Sequence, residues 1–180
     1  MLISVDIEAD GKIPGRNSML SLGAVAFDLD RNVYGKFSVN LKELEGAAPD
    51  EDTAAWWKTQ PEAWKACREN IVEPSVAMHM WLDWLRKFDK PTFVGYPATY
   101  DFMFAYWYLV KFTDTSPFSF SGLDIKTYAA AVLDMPYRQA TKRNYPKEWF
   151  GTEKHNHVAV DDAYEQAMLL CSMVDYRKNK

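Results

Sequence analysis

The 180-residue chain is poor in cysteine and glycine and has no surplus of positive charge. Its two cysteines, Cys67 and Cys171, are too few for a disulfide framework. Two buried free thiols in a reducing compartment are expected instead. Glycine occurs 8 times, nowhere as Gly-x-Gly-x-x-Gly or Gly-x-x-x-x-Gly-Lys-Ser/Thr, which removes the common nucleotide-phosphate loops. No apolar run approaches the roughly 18 residues that a membrane span needs. Met1 to Asp6 has no basic segment and meets an acid too early for a signal peptide, so a cytoplasmic protein is expected. The 21 Lys and Arg are outnumbered by 25 Asp and Glu, giving a net charge of −4. A basic footprint able to grip long duplex non-specifically is therefore missing.

What is present is ordinary globular material. Hydrophobic residues make up 48% and charged residues 26%, which excludes a disordered chain. The length suits one domain, residues 1–180, with a single sizeable core. Aromatics reach 15%, including 7 Trp. Core packing accounts for most of an aromatic excess, but it also suits a site that stacks bases.

Periodicity orders the elements. Leu2 to Glu8, Ser18 to Asp28 and Val33 to Leu41 read as three strands, with residues 28–32 as a turn, and suggest an antiparallel meander. A polar loop, Glu43 to Asp52, leads to a helix capped by Asp52 or Thr53. Helical patterns follow over Pro61 to Arg68 and Pro74 to Phe88. Thr92 to Tyr96 is a short buried strand and Tyr100 to Phe112 an apolar helix. Gly122 to Ile125 and Lys126 to Leu133 read as a strand and a helix. Residues 134–156 are expected to be a long loop. Val158 to Tyr176 closes the chain as a helix with Ala163, Ala167, Leu170 and Val174 on one stripe. The order predicts an α/β fold, a mixed sheet flanked by helices in a ribonuclease-H-like arrangement.

The chemistry lies in the acids. Asp6 and Glu8 are two apart on a strand and share a face, with Ile7 turned away. Two adjacent carboxylates repel unless a cation or proton lies between them; the alternative is that both sit in water at a strand end. Asp101 follows a buried strand and opens an apolar helix, where a plain N-cap is the alternative. His157 precedes the final helix and Asp162 lies in its first turn, turned inwards, with Asp161 as the expected cap. His79 and His155 read as surface or core-edge residues. Four acids and a histidine on sheet and helix ends fit two divalent cations roughly 3.5–4 Å apart, which stabilise both oxygens of a phosphodiester displacement. Oxygen ligands favour Mg²⁺ or Mn²⁺, and His157 is the candidate general base. Net acidity is compatible with this, because bound cations can meet the phosphates.

Asp6-x-Glu8, Asp101 and His157-x-Ala159-x-x-Asp162-Ala163 together resemble the three motifs of the DEDDh 3′→5′ exonucleases, over Ser4 to about Met173. The resemblance implies that Asp6 bridges both cations, that Glu8 and Asp162 complete one site, that Asp101 helps hold the second and that His157 activates water. It implies hydrolysis from the 3′ end of single-stranded nucleic acid with release of nucleoside 5′-monophosphates. The segment Thr53-Ala54-Ala55-Trp56-Trp57-x-x-Gln60 also resembles a bacterial and phage branch related to RNase T, which tilts the expected substrate towards RNA or short oligonucleotides. The alternatives are a DNA-directed enzyme and a non-catalytic relative. A homodimer is possible.

Substrate contacts are expected from the loop Ala9, Asp10 and Gly11, whose amides would face the terminal 3′ hydroxyl. Trp56 and Trp57 are expected beside the nucleotide, with core packing as the alternative, and Tyr100 joins the set. Lys142 and Arg143, with Lys147 and Lys154, are candidates for upstream phosphates. Many relatives have Thr where this chain has Ala9, and His-Asn where it has Tyr96-Pro97. Asp124 reads as a cap or a supporting acceptor.

Overall fold

The computed structural model describes residues 1–151 and 157–179. Five strands make one mixed sheet in the order β3-β2-β1-β4-β5. They are β1 (Leu2–Ala9), β2 (Met19–Phe27), β3 (Val33–Asn40), β4 (Thr92–Gly95) and β5 (Gly122–Asp124). β1, β2 and β3 form the antiparallel meander, and β4 and β5 add in parallel beside β1. The helices are α1 (Glu51–Trp57), α2 (Pro61–Cys67), α3 (Pro74–Leu85), α4 (Ala98–Thr113), α5 (Ile125–Leu133) and α6 (Ala159–Lys178).

Every residue of β2 is buried because helices cover both faces of the sheet, as an almost unbroken apolar run requires. One face of β1, Ile3, Val5 and Ile7, packs with Trp81 and Leu85 of α3 and Phe104 and Tyr108 of α4. The other side packs Phe27 and Val94 against Ile125 and Ala129 of α5 and Leu170, Met173 and Val174 of α6. Each such large side chain contributes roughly 1.5–3 kcal/mol on burial. Cys67 and Cys171 are buried free thiols, and burial raises Cys67 to about 11 and pushes Cys171 upward.

The register between β1 and β2 slips after Glu8: Glu8 faces Ser21, but Ala9 faces Met19. Leu20 is the extra residue, so this bulge re-aims it off the main core. It packs instead with Trp57, Ala63 and Cys67 beneath α1 and α2. The Met19 amide donates to the Tyr108 hydroxyl at 2.7 Å.

Some boundaries differ from the sequence reading. α1 is capped by Asp50, which accepts the Thr53 amide at 3.1 Å, not by Asp52 or Thr53. Asp50 comes first because its own amide is held by the Asp10 carbonyl at 2.8 Å. α6 starts from Val158 without a side-chain cap, so Asp161 is an exposed first-turn residue and not the cap. The long connection holds two 3₁₀ turns, Lys142–Asn144 and Lys147–Trp149, pinned by buried Tyr145 and Trp149. Lys154 and His155 lie outside the described residues.

Candidate active site

The site forms at the carboxyl end of β1, where the sheet changes from antiparallel to parallel pairing. Crevices at such switch points are the usual ligand sites of open α/β sheets. Asp6 and Glu8 project from β1 towards α6, as their two-residue spacing requires. α6 lies along β1 so that Asp162 comes near Glu8 while Gln166, one turn on, donates to Asp6 Oδ1 at 2.7 Å. Four helical residues rise about 6 Å and two strand residues about 6.6 Å. The two repeats therefore stay in step, and acids separated by some 150 positions meet.

Gly23 makes this approach possible. It is the β2 partner of Asp6, and a Cβ there would lie 2.2 Å from Ala159 C and Val160 N. The first turn of α6 thus rests directly on the sheet beside the acids. An isolated glycine inside a strand signals such a backbone approach; the sequence carried that signal at Gly23 without its meaning being drawn.

Glu8, His157 and Asp162 bring one oxygen or nitrogen each to within 4.8 Å of one another. His157 Nδ1 is 3.9 Å from Glu8 Oε1, longer than a hydrogen bond. Its backbone φ of 56° turns the chain sharply before α6. Asp162 is only 2% exposed.

Asp101 enters from α4. β4 pairs with β1 only as far as Ser4, and beyond that point the Asp101 carboxylate accepts the Ile7 amide at 3.2 Å. It is not an N-cap, since α4 begins at Ala98 after Pro97. Asp101 is 4% exposed, and burial raises its pKa well above the ordinary value, with the Glu8 charge adding to the rise and the Ile7 amide opposing it. Negative charge gathered in so dry a place is what a divalent cation relieves. Asp6, Glu8, Asp101 and Asp162 would offer hard oxygens of the kind Mg²⁺ or Mn²⁺ takes, and of these Glu8 and Asp162 are grouped with His157.

The expected substrate contacts divide. Trp56 is 38% exposed and packs edge-on to His157, with ring centroids 5.1 Å apart. Trp57 is buried, stands against Trp56 and Trp64, and donates its indole N–H to the Ala9 carbonyl at 3.0 Å. It also walls a cavity of about 340 Å³ with Asp10, Pro49, Ala54, Lys58 and Trp64.

The loop after β1 is wound around Asn17. Asp10 accepts the Ser18 amide and is buried, which pushes its pKa up. The amides of Lys12 and Ile13 go to Asn17 Oδ1 at 2.9 and 3.0 Å, and the Asp10 amide goes to Ser18. Gly11 packs against Asn17 with no room for a Cβ, and its carbonyl accepts the Tyr100 hydroxyl at 2.8 Å. Of the three amides expected at the 3′ hydroxyl, that of Asp10 is thus committed within the loop. Lys142 is paired with Glu165 of α6 at 2.8 Å and lies over the Tyr96 ring. Arg143 and Lys147 are exposed. Asp124 caps α5 and accepts the Ala98 amide at 2.7 Å, as expected of a cap and supporting acceptor. The sequence reading missed Gln166 and Glu165; Gln166 follows Asp162 by one turn inside an apolar stripe.

The model of the 3′-5′ exoribonuclease Rv2179c-like domain matches residues 1–174. The chain belongs to that family of DEDDh 3′→5′ exonucleases. It is 31% identical over 174 residues to the 3′-5′ DNA exonuclease Cap18 of Escherichia coli, covering 94% of this chain and 89% of Cap18. The fold of this exonuclease matches the nuclease domain of 3′hExo, a DEDDh member bound to rAMP, with a TM-score of 0.72 at 10% identity, over 97% and 91% of the two chains. It also matches Pop2p of S. pombe in its Mg²⁺- and Mn²⁺-bound form, with a TM-score of 0.67 at 15% identity, over 94% and 81% of the chains. Among the described residues of the exonuclease, no helix is long and apolar enough to cross a membrane.

Proposed function

We propose that this 3′→5′ exonuclease works with two divalent cations, Mg²⁺ or Mn²⁺, and removes nucleoside 5′-monophosphates from single-stranded RNA or short oligonucleotides. The observation that carries this reading is the meeting of Glu8, His157 and Asp162 within 4.8 Å on the strand face that also bears Asp6. When bound, the cations supply charge stabilisation to the attacking and leaving oxygens.

The chain's own groups do the rest. Asp6, Glu8 and Asp162 would hold the cations from the α6 side of the cleft, and Asp101 would hold them from its β4 side. The imidazole of His157 takes a proton from water as the water oxygen bonds to phosphorus. The bond from phosphorus to the 3′ oxygen of the preceding nucleotide breaks, and that oxygen takes a proton from solvent as it leaves to become the new 3′ hydroxyl. Trp56 offers a partly exposed ring beside His157 for the terminal base, since aromatic stacking accepts any base.

The RNA preference rests on the exoribonuclease description of the matching family. DNA is the second reading, favoured by the 31% identity to a DNA exonuclease. The matched span is read as one exonuclease domain. Buried free Cys67 and Cys171 suit a reducing, cytoplasmic setting. The apolar surface left by Met103 and Val110 on α4 allows a homodimer, which sedimentation would reveal.

The test is 5′-labelled single-stranded RNA and DNA of one sequence, incubated with Mg²⁺, Mn²⁺ or chelator. The expected result is a 3′-shortening ladder, faster on RNA, lost with chelator and lost in Asp6→Ala and His157→Ala. A faster DNA ladder would choose the second reading. Ladders indifferent to chelator and to both variants would overturn the mechanism.

A further inference from the structure

Gln166 is 3% exposed, on the side of α6 that also buries Ala163, Ala167, Leu169 and Leu170. An amide in such surroundings is costly compared with a leucine or methionine of similar volume. Its hydrogen bond among the described residues is Nε2 to Asp6 Oδ1, at 2.7 Å. Its Oε1 is buried with no hydrogen-bond partner among the described residues, so among them no second hydrogen bond orients the amide. Packing does not account for this residue; its contact with Asp6 does.

We propose that Gln166 is the positioning residue for Asp6. The inference rests on the two-cation reading above. The amide holds one oxygen of Asp6 at 2.7 Å and with it the plane of the carboxylate. A neutral donor suits the task. Lysine or arginine would hold Asp6 equally well but would cancel the negative charge that the cations need. A carboxylate would add charge but would repel Asp6. Glutamine orients the ligand without spending its charge. The one-turn spacing from Asp162 lets a single helix supply both a ligand and the support for a ligand on β1.

Gln166→Met and Gln166→Glu test this, with Mn²⁺ binding to the substrate-free protein followed by electron paramagnetic resonance. Methionine keeps the packing and removes the donor. The expected result is Mn²⁺ affinity weakened about 10–100-fold, the usual effect of losing a ligand's supporting hydrogen bond. kcat should fall in parallel, while KM for a short oligonucleotide and the metal-free melting temperature stay near wild type. Gln166→Glu should bind Mn²⁺ no better than Gln166→Met despite its added charge. Wild-type affinity in Gln166→Met, or Mn²⁺ binding by Gln166→Glu that matches or exceeds wild type, would overturn the positioning role. Failure of the wild-type protein itself to bind Mn²⁺ would instead bring down the two-cation reading.

Discussion

The carboxylate of Asp101 accepts the backbone amide of Ile7 at 3.2 Å, across 94 positions of sequence, at the place where β4 stops pairing with β1. One acid thus serves two ends. It satisfies a strand amide that the sheet abandons, and it stands as a charge on the flank of the cleft.

Asp101→Asn separates those duties. The asparagine oxygen still accepts from Ile7, so the fold is kept, but the charge is gone. The folded-state pKa of Asp101 lies above its ordinary value of 3.8. Its contribution therefore favours the metal-free fold below that value and is lost as pH rises through the raised one. At neutral pH the metal-free variant should melt higher than wild type by about 2–4 °C, the shift that ~1 kcal/mol gives a domain of this size. The advantage should shrink as pH falls through the raised value and vanish by 3.8, and nuclease activity should collapse. Calorimetry across pH checks this; a variant that melts lower than wild type at pH 7 would refute it.

Gly23→Ala is the severest small change available. The new methyl would press on the Ala159–Val160 backbone, which cannot rotate away as a side chain can. Overpacking of this kind costs about 1–3 kcal/mol. Because the displaced turn carries Asp162 and follows His157, kcat should fall more than stability does. Melting and turnover measured on one preparation decide the matter, and normal turnover would show that the helix start does not govern the acids.

The two tryptophans should behave oppositely. Trp57→Phe loses the indole bond to the Ala9 carbonyl and should destabilise by about 1–3 kcal/mol. Trp56→Ala should leave melting nearly unchanged and raise KM about tenfold, within the ~1–3 kcal/mol of a stacked base. Equal KM in Trp56→Ala and wild type would remove Trp56 from the substrate path.

Much of this was legible in the residues. The apolar runs of β1 and β2 indicated the sheet, and the strand spacing of Asp6 and Glu8 with the His157–Asp162 interval pointed to residues of which Glu8, His157 and Asp162 do meet, because both signals depend on local periodicity. What escaped depended on distant contacts. For Asp101 a cap stays open as the alternative until the end of β4 leaves Ile7 needing an acceptor. Lys142 reads as a phosphate ligand until α6 places Glu165 against it. The Asp10 amide looks available until the Ser18 carbonyl is seen to take it. Gln166 reads as an ordinary helix polar residue until Asp6 faces it.

The most direct measurement is anomalous scattering from a crystal soaked in Mn²⁺. Two peaks about 3.5–4 Å apart are expected, both touching Asp6, with Glu8 and Asp162 around one and Asp101 beside the other. Peaks elsewhere on the protein, or none within reach of these carboxylates, would contradict the assignment.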